Sequence, residues 1–134
     1  METSKKKLIG GKRMKYKHYA IDFDGTIAED NFPRIGKLKP HAKRVMQRII
    51  DNGGTIAINT CRCDEKAIMA FQFLEHNRIP FTTFNENNQE LIDLYGGGNP
   101  RKISADVYID DKNIFCNDID WLAIEKEIFG NNKE

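Results

Sequence analysis

Cysteine is scarce in this chain, with three among 134 residues, at Cys61, Cys63 and Cys116. An odd and sparse set is not a disulfide framework. Cys61-x-Cys63 does not make a zinc site either, because no second Cys or His pair of suitable spacing accompanies it and His18, His41 and His76 are scattered. No histidine sits beside a cysteine in a recognisable signature, which argues against a cysteine nucleophile. Long apolar runs are missing too: none approaches the ~18 residues a membrane span needs, and the basic start lacks the apolar stretch of a signal peptide. A cytoplasmic protein without membrane contact is the expectation. An excess of either charge is also lacking, 21 basic residues standing against 20 acidic for a net charge of +1. Bulk charge therefore gives no general argument for a nucleic-acid or membrane partner. Finally, there is no G-x-G-x-x-G between the first strand and the first helix, so a dinucleotide binder of that type is excluded.

The length, 40% hydrophobic content and ten glycines fit one α/β domain able to bury a real core. Charge is uneven only at the start, where Lys5, Lys6, Lys7, Lys12, Arg13, Lys15 and Lys17 face Glu2 alone. Residues 1–15 thus read as a basic segment, either a solvated tail or an electrostatic arm for nucleic acid. Residues 16–130 form the expected single domain and 131–134 a short tail.

Two acidic motifs carry the chemistry. Asp22-Phe23-Asp24-Gly25-Thr26 follows the apolar run Tyr19-Ala20-Ile21, and in a strand the period of two would aim Asp22 and Asp24 to one side. Two carboxylates at a strand mouth repel each other and lose hydration, so they call for a compensating cation, for which a hard divalent metal is suited. Gly25 lets the backbone turn where a phosphate would approach, although Asp-Gly is also ordinary turn chemistry. Asp110-Asp111 follows a second apolar run ending at Ile109, and between the two motifs Thr55–Thr60 is a β-rich run ending in a hydroxyl.

Secondary structure is expected to alternate. Ile27–Lys39 reads as a loop, His41–Asp51 as a helix with Val45, Ile49 and Ile50 inward and Lys43, Arg44 and Arg48 opposite, and Asp64–Asn77 as a helix capped by Asp64 with Ile68, Phe71, Phe73 and Leu74 as its apolar face. Ile79–Phe84 is an edge strand because of Pro80. A helical turn at Glu90–Tyr95, a strand at Val107–Ile109 and a final helix over Asp118–Phe129 complete the chain. Alternation of this kind predicts a parallel sheet with helices on both faces, with ligands bound beyond the carboxyl ends of its strands.

The ordered set D-x-D-G-T, a strand ending in Thr60, then Lys102, then Asp110-Asp111, resembles the haloacid dehalogenase-like superfamily of phosphohydrolases over about residues 18–113. The resemblance implies a Rossmann-like three-layer α/β sandwich with a mainly parallel sheet. It also implies a Mg²⁺-dependent phosphatase working through an aspartyl-phosphate, with a small phosphorylated metabolite as the expected substrate. Asp22 would be the nucleophile and Asp24 the general acid and base. The metal would lie among Asp22, the backbone carbonyl of Asp24, Asp110 and Asp111. Thr60 would hydrogen-bond the phosphate and Lys102 would offset its charge, with Phe23, Gly25, Cys61 and Arg62 completing the phosphate and substrate contacts. Thr60-Cys61-Arg62 resembles the Ser/Thr-x-Arg element of polynucleotide phosphatase domains, which keeps a polynucleotide 3′-phosphatase as an alternative beside a non-catalytic phosphate-binding module. Neither gap between motifs has room for a cap domain. An uncapped site suits a large substrate, a lid from a second copy of the chain, or broad small-molecule specificity.

Overall fold

The computed structural model describes residues 8–9 and 12–131. Most of the basic segment, and the tail from 132 onward, lie outside the described residues. Two short strands, β1 (Leu8–Ile9) and β2 (Lys12–Arg13), pair antiparallel. The main sheet is built from β3 (His18–Ile21), β4 (Thr55–Ile58), β5 (Thr83–Phe84) and β6 (Val107–Ile109), all parallel in the order β5-β4-β3-β6. Four helices accompany them: α1 (Ala42–Asp51), α2 (Asp64–His76), α3 (Gln89–Leu94) and α4 (Trp121–Phe129).

Strand alternation divides the buried residues between two faces. Tyr19, Ile21, Ile56 and Ile58 share one core with Val45, Met46 and Ile49 of α1, Ala70 and Leu74 of α2, and Trp121, Ile128 and Phe129 of α4. Ala20 and Ala57 point the other way, where Ile103 packs on them. On that side α3 is tied to the sheet by Asn88, which caps the Leu91 N–H and donates to Thr55 Oγ1 at 3.2 Å. The result is the expected Rossmann-like sandwich, heavily covered on one face and thinly on the other. Among the described residues no cap domain stands on it: Ile27–Lys39 folds as a short flap pinned by Glu29 N–H to Lys37 O and Lys39 N–H to Ile27 O, both 2.8 Å.

Several local expectations change. Met14 is 2% exposed and belongs to the main core, and the neighbouring Lys15 N–H donates to Ile128 O at 2.9 Å. Packing therefore begins before residue 16. Helix α2 does not use Asp64 as its cap: Cys63 holds that position and no side chain caps the end. Its buried stripe is Ala70 and Leu74, while Ile68 and Phe71 are exposed, Phe71 meeting Phe81 and Phe84 edge-to-face beside the edge strand β5. Arg48 is not on the solvent side of α1. It is buried, pairs with Glu125 at 2.8 Å and lies over the Phe129 ring. The last helix begins at Trp121, with Asp120 accepting from the Leu122 and Ala123 N–H groups, and β4 and β5 are shorter than their apolar runs.

Candidate active site

The sheet register brings the acidic motifs to one edge. Ile21 is opposite both Ile58 and Ile109. One step further, Asp22 N–H donates to Ile109 O and Asn59 N–H to Ile21 O, each at 2.9 Å. Asp22, Thr60 and Asp110 thus leave three adjacent strands at their carboxyl ends.

Asp22, Asp110 and Asp111 converge there, with one carboxylate oxygen from each lying within 4.8 Å of the others. Asp22 Oδ2 accepts the Thr26 hydroxyl at 2.9 Å. Burial first, and then the neighbouring Asp110 and Asp111, push the Asp22 carboxyl up to about 7. Asp110 Oδ1 accepts the Lys112 N–H, and Asp111 Oδ2 lies 3.3 Å from Lys112 Nζ. Asp111 Oδ1 is buried and meets no donor. Three converging carboxylates, one of them with a buried oxygen that has no partner, make a donor set that suits a hard cation. Asp22, Asp110 and Asp111 accordingly fit Mg²⁺.

Asp24 is different. Its carboxylate pairs with Arg62, which donates to it from Nε at 2.7 Å and from Nη2 at 2.8 Å. The backbone carbonyl of Asp24 accepts nothing among the described residues, which leaves it available as the remaining predicted ligand. The parallel bridge to Ala28 uses the neighbouring groups instead, Gly25 N–H donating to Ala28 O at 2.7 Å and Ala28 N–H to Phe23 O at 3.2 Å.

The predicted phosphate contacts divide. Thr60 Oγ1 accepts the Arg62 N–H at 3.2 Å, and among the described residues its own proton meets no acceptor. The N–H groups of Phe23, Asp24 and Cys61 likewise donate to none. Gly25 N–H is committed to Ala28 O, so the glycine acts through its shape: at φ +85° it leaves room for Asp111. The Phe23 ring is core, fully buried and edge-to-face with Phe73, so only its backbone can meet a ligand.

Two basic residues depart from expectation. Arg62 is 2% exposed with all five N–H groups engaged, and it is not free to bind phosphate. Lys102 is exposed and lies over the Tyr108 ring at 5.3 Å, without an ion pair. It precedes β6, as expected, and lies on the thin face of the sheet beside Tyr108. Lys112 is the lysine that touches the acidic cluster. Its position one residue past Asp111 was the available signal, outweighed by the order of the motifs. A concavity of about 1150 Å³ between α1 and α4 includes none of the acidic cluster.

No family model matches this chain, and no curated protein does. A solved structure of a conserved protein from Bacteroides thetaiotaomicron is similar to it in fold, with a TM-score of 0.71 and 29% identity. The match covers 81% of this chain and 86% of that one. Among the described residues, no helix is long and apolar enough to cross a membrane.

Proposed function

We propose that this chain is a Mg²⁺-dependent phosphatase that hydrolyses a small phosphate monoester through an aspartyl-phosphate on Asp22. The observation that carries this reading is the meeting of one carboxylate oxygen each from Asp22, Asp110 and Asp111, together with the buried, unpartnered Asp111 Oδ1 and a separate carboxylate, Asp24, two residues from the nucleophile. A phosphate monoester is a dianion and repels an anionic nucleophile, and a bound Mg²⁺ would neutralise that charge.

The remaining work falls to the chain. The Thr26 hydroxyl fixes the Asp22 carboxylate for attack on phosphorus. The free Thr60 hydroxyl and the N–H groups of Phe23, Asp24 and Cys61 suit the transferring oxygens, since preorganised donors are worth most where charge develops. Asp24, entering the step in its protonated form, gives that proton to the departing oxygen and is left as the carboxylate that later takes one from the water that cleaves the acyl phosphate. Lys112, beside Asp111, takes the charge-offsetting role expected of Lys102. With no cap, the site reads the phosphate and little of what carries it.

The test is turnover of p-nitrophenyl phosphate and a panel of phosphorylated metabolites with Mg²⁺ or EDTA, for the wild type and Asp22→Asn. Activity that needs Mg²⁺ and falls by about 10³-fold or more in the variant supports the reading. Activity retained within tenfold, or indifferent to EDTA, overturns it.

A further inference from the structure

The flap, the acidic motif and helix α2 meet on one side chain. Arg62 follows Thr60 by two residues and turns inward, where its Nε and one Nη2 proton hold both oxygens of Asp24. The other Nη2 proton reaches Arg34 O at 2.9 Å, and Nη1 donates to Pro33 O at 3.0 Å and Lys66 O at 3.2 Å. The Phe23 and Phe32 rings flank the guanidinium at 5.6 and 5.0 Å. Two of its acceptors are flap carbonyls, one belongs to the first turn of α2, and the remainder are the carboxylate assigned to proton transfer.

We propose that Arg62 is a positioning residue that latches the Asp24 carboxylate to the 27–39 flap. As a description of catalysis this rests on the phosphatase reading above. The three carbonyls hold the guanidinium whether or not Asp24 is engaged, and a guanidinium in a fixed plane presents a fork that only a carboxylate in one orientation can meet. Asp24 therefore takes its direction from the flap. Its side chain is 16% exposed, so a leaving-group oxygen arriving from solvent meets a carboxylate already aimed. A lysine at position 62 would keep the charge and lose the fork, since an ammonium has three donors and no plane.

The latch has a signature that phosphate binding and general structural support both lack. A proton donor matters for a poor leaving group and little for a good one, so loss of aim should be selective. In Arg62→Lys, kcat on an alkyl phosphate such as glycerol phosphate should fall about tenfold more than kcat on p-nitrophenyl phosphate. KM and inhibition by inorganic phosphate should stay at wild-type values. Asp24→Asn should show the same split, and the double variant should be no worse than Asp24→Asn. Phe32 is half-exposed, so Phe32→Ala should fold even if Arg62→Lys does not, and it should show a weaker split. Hydrogen exchange supplies a readout that needs no turnover: the Glu29 and Lys39 amides of the flap should exchange faster in both position-62 and position-32 variants, with the β3–β4 amides unchanged. Equal losses on both esters, weaker phosphate inhibition in step with KM, or unchanged flap exchange would each overturn the latch. If the wild type hydrolyses neither ester, the phosphatase reading fails by itself and flap exchange alone decides whether the latch exists.

Discussion

A methyl group placed at Gly25 would lie 2.1 Å from Asp111 Oδ2. The glycine of the first acidic motif and the last residue of the second are therefore in contact, and the gap between them has room for a hydrogen alone. Gly25→Ala should push Asp111 out of the cluster and also strain a backbone at φ +85°. We expect a stability loss of about 1–3 kcal/mol, the usual cost of a left-handed non-glycine residue, together with weakened Mg²⁺ binding. Urea melts with and without Mg²⁺ check both parts, and a wild-type Mg²⁺ titration in the variant would show that the contact is immaterial.

Asp22 predicts a pH dependence for the metal-free protein. Its carboxyl stands at about 7 in the fold against an ordinary value of 3.8, so across that interval the folded state holds a proton that the unfolded chain has released. Stability from this group is complete below pH 4 and is lost as pH rises through 7. In EDTA the difference in Tm between Asp22→Asn and wild type should grow between pH 5 and 8 in favour of the variant. His18 acts oppositely. Burial lowers its pKa, so its contribution is present above about 6.5 and falls away in acid. A flat difference curve for Asp22→Asn would contradict the raised carboxyl.

Asp111→Asn separates repulsion from ligation. Without a cation, removing one of three crowded carboxylates should raise Tm, because like charges in partial burial destabilise one another. With saturating Mg²⁺ the wild type should gain stability as RT ln(1 + [L]/Kd) and the variant should gain much less. A variant that is less stable in EDTA and responds normally to Mg²⁺ would refute the assigned role.

Met14 should behave as core although it lies within the basic segment. Met14→Ala is expected to cost about 2–5 kcal/mol, the range for buried methionine truncations, measurable as a lowered urea midpoint. A truncation that removes residues 1–15 would carry this loss with it, so any test of the basic segment should stop before Met14.

Much of the site was legible because strand geometry links sequence to space. Apolar runs ending in carboxylates must deliver them to a sheet edge, and Asp22, Asp110 and Asp111 arrive together for that reason. Helix spacing gave α1 correctly at Val45 and Ile49 but not at Arg48, whose long apolar stem and charged head serve burial and pairing at once. What a string of residues cannot convey is which acceptors surround a donor. Arg62, two residues after Thr60, reads as an open phosphate ligand until the flap carbonyls are seen on it, and Lys102 reads as the cation that offsets the phosphate charge until the loop carries it onto Tyr108. On α2 the spacing holds at Leu74 and Phe73 and fails at Phe71, which finds aromatic neighbours in Phe81 and Phe84 rather than a fully buried place.

Trp121, the chain's single tryptophan, is 2% exposed and donates its indole N–H to Thr26 O at 2.8 Å. The hydroxyl of that same threonine holds Asp22. The protein thus carries an intrinsic fluorophore one residue removed from its acidic cluster, with an emission sensitive to the polarity and hydrogen bonding of that residue's backbone. Were a cation or phosphate to reach the sheet edge as proposed, the unlabelled, wild-type protein would report it by light alone, at concentrations far below those that calorimetry needs.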